Sequence, residues 1–388
     1  MFLPLIACAA VLAWVWLLFA HGGFWRILLP QQPRLTPAEW PEVAIIVPAR
    51  DEVAMIPQTL PALLALDYPG VWRIILVDDH STDGTAAAAL QIASRHSEEG
   101  RLTVIQAPAL PPGWSGKVHA LHTGLEAAGH PAFVLFTDAD ILHQPGSLRY
   151  LVARALESGL DLHSLMVKLH CKNLWEKFLI PAFVYFFQLL YPFAWSNDPA
   201  RSTAAAAGGV MLVRNQALQE IGGLAAIRDA IIDDCALAKA IKSRAKAQSG
   251  QRARILLTLV DFEVVSLRAY PHIGVLWRMI RRAAYTQLRY SPLLLIGAVA
   301  GMLLLFATPF YISLQGDLYA LAGWLIFVAM IYSYLPMVEF YRLNILWAAA
   351  LPFAALVYTG ATLDSARLTW QGAGGQWKGR AQAVRPPA

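Results

Sequence analysis

The chain has 388 residues, of which 57% are hydrophobic and 15% charged, with a formal net charge of +5. That is too apolar for an ordinary soluble protein, and long enough for one α/β domain of about 250 residues plus membrane segments. Aromatic and basic residues do not interleave in the manner that grips nucleic acid, so the basic excess points to anionic lipid headgroups instead.

Residues 1–25 contain no Asp, Glu, Lys or Arg. As a helix they would span roughly 37 Å, more than the roughly 30 Å hydrocarbon core. The run Ala7-Cys8-Ala9-Ala10 lies too near the start for a signal-peptide cleavage site, and no basic n-region precedes it, so an uncleaved transmembrane anchor over 1–25 is expected. A hydrophilic domain over 40–290 follows. Its first strand is predicted at Val43 to Val47, ended by Pro48 and followed by Arg50-Asp51-Glu52, with a helix to about Leu66 and a turn at Asp67-Tyr68-Pro69-Gly70. The second strand, Arg73 to Val77, leads into Asp78-Asp79, and an Ala-rich helix is predicted to end near His96. A third strand covers Leu102 to Gln106, a helix runs from Lys117 to Ala128, and a fourth strand ending at Phe136 leads into Asp138-Ala139-Asp140. Strands alternating with helices through short loops predict an α/β fold with a mainly parallel, Rossmann-like sheet.

Residues 178–197 are uncharged and nearly long enough to cross a bilayer, but Pro181, Pro192 and many aromatics suit the headgroup zone, so an interfacial segment is expected. A buried core helix is the alternative. Further on, Asp233-Asp234 forms a third acidic motif, and 292–316, 318–338 and 343–363 read as transmembrane helices within a 292–363 membrane region, leaving a 364–388 tail. Arg26, Arg34 and Arg50 on one side and Arg278, Arg281, Arg282 and Arg289 on the other place the domain on the cytoplasmic face of the inner membrane, in a multi-pass protein. Three later spans would put the tail, with Arg367, Lys378, Arg380 and Arg385, outside; alternatively the segment broken by Pro352 does not span. Cys8, Cys171 and Cys235 show no pairing or metal-ligand spacing, as in a reduced compartment.

Ligands of open α/β sheets bind beyond the carboxyl ends of strands, which is where the first two acidic motifs fall. Clustered carboxylates repel unless a cation joins them, so a divalent metal, Mg2+ or Mn2+, is expected. Asp138 and Asp140, two apart at a strand end, are its candidate ligands, with Asp140 preferred. Scattered His119, His122, His143, His163 and His170 lack the spacing of a zinc site.

The ordered set Val47 to Glu52, Val77 to Thr85, Gly116-Lys117 with Gly124-Leu125, Thr137 to Asp140, Gly208-Gly209 to Arg214, Ile221-Gly222-Gly223 and Ile232 to Leu237 resembles the family 2 glycosyltransferases, inverting enzymes of GT-A fold. The layout is similar to the hopene-associated glycosyltransferases of hopanoid biosynthesis and to the ceramide glucosyltransferases. The resemblance implies a nucleotide-sugar donor bound by Pro48, Arg50, Asp51, Glu52, Asp79, Lys117, Asp138, Arg278 and Arg281. It also implies Asp234 as general base with Asp233 where Glu is usual, and transfer of one sugar to a membrane lipid acceptor. Arg282 replaces the tryptophan of the family's Q/R-x-x-R-W signature, which counts against processive polymer synthesis. A polysaccharide synthase and a non-catalytic nucleotide-sugar-binding subunit are the alternatives.

Overall fold

The computed structural model describes residues 2–95, 100–249, 253–372, 376–377 and 380–381. His96, Lys378 and Arg385, which figure in the expectations above, lie outside the described residues. The chain divides into an α/β unit, formed by 28–169, 195–268 and the chain end from 376, and a helical unit formed by 1–27, 170–194 and 269–375. Two pieces of the expected 40–290 domain, 170–194 and 269–290, therefore belong to the helical unit.

In the α/β unit β1 is Val43–Ala49, β2 Trp72–Asp78, β3 Leu102–Gln106, β4 Phe133–Thr137, β5 Ile141–His143, β6 Leu162–Lys168, β7 Val210–Arg214 and β8 Ile255–Ser266. They form one sheet in the order β3-β2-β1-β4-β7-β6-β8-β5. The four strands expected from sequence are mutually parallel. The other half is mixed: β7 runs antiparallel to β4 and β6, and β5 antiparallel to β8. Because successive strand residues point to opposite faces, Val43, Ile45, Val47, Ile74, Leu76 and Leu135 enter one core. Ala44, Ile46, Ile75, Val77, Val134 and Phe136 enter the other. With both faces covered, Val43 to Val47, Ile74 to Val77 and Phe133 to Phe136 are apolar at every position, which is why these runs do not alternate in sequence.

β1 is flanked by β2 and β4, and the chain leaves it toward β2 and β3 before returning to β4, so the sheet order reverses there. Such a switch point leaves a crevice between strand ends. The register sharpens it. Pairing of β1 with β2 continues to Ala49↔Asp78, whereas pairing with β4 stops at Ile46↔Phe136. Pro48, which has no N–H to give, stands past that last pair. The Gly116–Ala127 helix lies hard against this part of the sheet: a Cβ on Gly124 would meet Ile46 Cγ2 at 2.5 Å and Val77 Cγ2 at 3.0 Å.

In the helical unit, Pro292–Ser313, Leu318–Phe340 and Ile345–Trp370 are long and apolar enough to cross a membrane. The N-terminal helix is shorter than expected. It covers Phe2–Phe19 instead of 1–25, because Gly22 and Gly23 take left-handed φ values of 64° and 58° and turn the chain. Its 18 residues rise about 27 Å. The 178–197 segment forms two helices, Leu174–Leu190 and Phe193–Asn197. The first is largely buried within the helical unit, where Tyr185 Oη lies 2.8 Å from Ser333 Oγ and Tyr358 donates to the Leu179 carbonyl. Its start is fixed by a capping box in which Asn173 accepts from Glu176 N–H and the fully buried Glu176 carboxylate accepts from Asn173 N–H. The same carboxylate accepts from Lys172 and Tyr270 backbone N–H and pairs with His170.

Candidate active site

At the end of β1, Arg50 donates to the Asp79 carbonyl and lies 3.4 Å from the Asp79 carboxylate, which is fully buried. Asp51 and His80 follow β1 and β2 with φ of 50° and 54°. Non-glycine residues reach that region at a cost, and such strain clusters at binding and catalytic sites. The Asp51 carboxylate accepts from Thr82 N–H at 2.8 Å and from its hydroxyl, while Asp51 N–H donates to Ser81 Oγ. Glu52 N–H donates to Thr85 Oγ1. The two strand ends are thus laced into one rim.

The D-x-D turn is held by its neighbours. Thr59 donates to the Ala139 carbonyl, and Asp138 N–H and Thr137 Oγ1 both donate to the Gly209 carbonyl. Beneath it the buried His143 meets Thr137 and Ser147, and burial pushes its imidazole down to about 4, so it stays neutral. Lys117, on the first turn of the Gly116–Ala127 helix, places Nζ 2.8 Å from Asp138 Oδ1 and 3.4 Å from Asp233 Oδ2. Burial opposes the lysine charge, but Asp138 and Asp233 outweigh it and hold Lys117 protonated. Burial raises the Asp138 carboxyl, and the charges of Asp140 and Asp233 add to that against the pull of Lys117.

Asp233 and Asp234 open the Asp233–Ser249 helix, where the macrodipole favours acids. Asp234 Oδ2 accepts the Gly208 N–H at 2.8 Å and Oδ1 its neighbour Cys235 N–H at 2.7 Å. Burial first, then the adjacent Asp233 charge, push Asp234 up to about 6, against Lys117 and those two donors. Asp138 and the 233–234 pair are joined through Lys117. Other members of the site were not expected from sequence. Arg268, just past β8, bridges Glu52 and Asp140, Ser266 donates to Asp140, and Gly208 supplies the N–H to Asp234. Gly208 stands in a motif; Arg268 carries no signal beyond being a lone cation after a strand.

The expected metal can be tested against these residues. Among the described residues no three His, Cys, Asp or Glu side chains converge to chelate an ion unaided. Mg2+ and related ions, however, are commonly held by one or two carboxylates completed by substrate phosphates. The donors here are all hard oxygens, and the buried Asp233 Oδ2 has no hydrogen-bond partner, meeting Lys117 only as an ion pair. The residues fit an oxygen-seeking divalent ion. Arg278 and Arg281 lie on the Ile273–Gln287 helix of the helical unit, where Arg281 meets Asp364 at 3.1 Å and Trp277 donates to the same carboxylate oxygen.

Residues 44–222 match the family model Glycosyl transferase family 2. The chain is 30% identical over 150 residues to the probable glycosyltransferase YdaM of Bacillus subtilis, covering 36% of this chain and 34% of that one. It is 37% identical over 120 residues to an uncharacterized glycosyltransferase of Mycobacterium tuberculosis, covering 31% and 46%. The chain therefore spans less than half the length of either relative. In fold it is similar to the mannosyltransferase PcManGT from Pyrobaculum calidifontis in complex with GDP-Man and Mn2+, with a TM-score of 0.55 at 20% identity over 95% of this chain and 98% of that one. With the acidic crevice at its switch point, the segment 44–222 is similar to glycosyltransferase family 2, on a GT-A-like mixed sheet.

Proposed function

We propose that this chain is an inverting glycosyltransferase that moves a single sugar from a nucleotide-diphosphate sugar to the hydroxyl of a membrane lipid. The observation that carries the reading is Asp234: a carboxylate with both oxygens oriented by backbone N–H groups, raised to about 6, and joined through the Lys117 and Asp233 charges to the D-x-D turn. A base poised near the operating pH is what deprotonation of an alcohol requires.

In this mechanism Asp51 and Asp79 accept hydrogen bonds from the base and ribose of the donor, and Arg50 and Glu52 shape that rim. Lys117 gives its charge to the phosphates. Asp138 and Asp140 would hold a divalent metal, as Mn2+ accompanies GDP-Man in the similar mannosyltransferase complex, and that ion would supply Lewis-acid neutralisation of the departing diphosphate. Asp234 takes the proton of the acceptor hydroxyl as that oxygen bonds to the anomeric carbon. The bond from that carbon to the diphosphate oxygen breaks with its electron pair, and attack from the opposite face inverts the centre.

The membrane side of the proposal, a multi-pass inner-membrane protein with its α/β unit in the cytoplasm, is supported by the three long apolar helices and, through the positive-inside rule, by the arginines at their borders. A hopanoid is the acceptor that the overall layout suggests. The test is nucleoside diphosphate release by the detergent-solubilised chain with Mn2+, a panel of nucleotide sugars, and total bacterial lipid present or absent. Lipid-stimulated release with one donor supports the proposal; a long insoluble product would instead mark a polysaccharide synthase, and no release with any donor a non-catalytic subunit.

A further inference from the structure

Arg268 belongs to none of the sequence motifs, yet it bridges two acids of the crevice. Its Nη2 donates to Glu52 Oε1 at 2.6 Å, and its Nε lies 3.3 Å from Asp140 Oδ2. Ser266 Oγ donates to that same Oδ2 at 2.8 Å, and Leu267 N–H to the Asp140 carbonyl at 3.0 Å. Both carboxylates are nearly enclosed, with side-chain exposures of 9% for Glu52 and 11% for Asp140, while the arginine retains 35%. By contrast Asp138, the other acid of the D-x-D turn, keeps 32% exposure and faces Lys117.

A guanidinium cannot shed its proton, so the charge beside Asp140 is permanent. Its planar fork can reach two carboxylates at once, and Glu52 holds one prong so that the other stays on Asp140. A divalent ion bound to Asp140 Oδ2 would stand about 2 Å from an oxygen already taking two donors, with a like charge next to it. We propose that Arg268 is a resident counter-cation that competes with the divalent metal at Asp140, so that the protein without donor binds metal weakly and through Asp138 first. The inference rests on the metal-assisted reading of the D-x-D turn given above.

The experiment is titration of the full-length, detergent-solubilised protein with Mn2+ alone, reading free Mn2+ by electron paramagnetic resonance. An opposite charge within a few ångströms shifts cation occupancy of a carboxylate by roughly ten-fold or more. Arg268→Gln is therefore expected to bind Mn2+ roughly ten-fold tighter than wild type, and Asp140→Asn placed on top of it to lose the gain. A merely structural arginine would give the opposite sign, because its loss loosens the site. Arg268→Lys keeps the charge that the fold needs but can hold only one of the two acids, and is expected to fall between wild type and Arg268→Gln. It decides the matter should Arg268→Gln fail to fold. Mn2+ binding that is unchanged or weaker in the folded variants overturns this inference alone; no Mn2+ binding in any of them overturns it together with the metal reading.

Discussion

The backbone N–H of Gly208 donates to Asp234 Oδ2 at 2.8 Å, and a Cβ at position 208 would stand 3.3 Å from that oxygen and 3.1 Å from Lys117 Nζ. The residues before β7 and at the start of the Asp233–Ser249 helix are thus fixed at a spacing that leaves no slack for a methyl group. Gly208→Ala should fold normally, since Lys117 can give way, but should displace the proposed base by a few tenths of an ångström. Turnover should fall roughly ten-fold, as reacting groups tolerate little misplacement. Parallel measurement of kcat and thermal unfolding checks this, and wild-type turnover would show that the close approach is without consequence.

Asp234→Asn should abolish turnover while donor affinity is kept, because Asp51, Asp79 and Lys117 remain. The wild-type rate should rise with pH through about 6 as Asp234 ionises. The stability change has the opposite sense. An acid whose folded value is raised binds more protons folded than unfolded between about 4 and 6, so stability falls as pH rises across that window. At neutral pH the asparagine variant should therefore be the more stable protein, by the order of 1 kcal/mol. Thermal unfolding at pH 8 and at about pH 3, below that window, would expose the difference, which should vanish at the acid end.

Lys117 is the cation shared by Asp138 and Asp233, and its charge also lowers Asp234. In Lys117→Met those acids lose it, and breaking an enclosed pair costs about 3 kcal/mol. The acid limb of the pH–rate profile should move upward as well. A limb left at its wild-type position would separate Lys117 from the base.

Glu176 is the polar centre of the helical unit. Burial works to raise its carboxyl, but the N–H groups of Tyr270, Lys172 and Asn173 outweigh that and hold it low. A lowered acid stabilises the fold above its unfolded value and loses that contribution as pH falls through the folded one. Glu176→Gln should lower stability at neutral pH by about 2 kcal/mol, since a charged acceptor of several N–H groups is exchanged for a neutral one. The gap to wild type should narrow on acidification, and urea-driven unfolding at pH 7 and pH 4 measures both.

Half of the sheet is legible in the sequence because β1, β2 and β4 are unbroken apolar runs that end near acids, a pattern expected of strands covered on both faces. The other half is not. β7 has four apolar residues, Val210 to Val213, and its place depends on antiparallel pairing with β4, which no local pattern encodes. β8 carries Asp261 and Glu263 within its length, which blurs its apolar pattern. Of the site, the acids announce themselves by clustering, whereas Arg268 is brought to Asp140 by a strand that starts only at Ile255. The N-terminal helix is shorter than its uncharged stretch because absence of charge does not mark where a helix stops, whereas Gly22 and Gly23, free to take left-handed φ, turn the chain away.

The arginine that spans Glu52 and Asp140 also bears on the order in which the ribosome delivers this chain. The four parallel strands and five of the crevice's acids, Asp51, Glu52, Asp79, Asp138 and Asp140, are complete by residue 140. The charge that balances Asp140 emerges only with residue 268, after β8 has been made. A nascent or truncated chain that stops short of β8 leaves Glu52 and Asp140 without that cation, so the crevice becomes electrostatically whole only when the last strand has been inserted into the sheet.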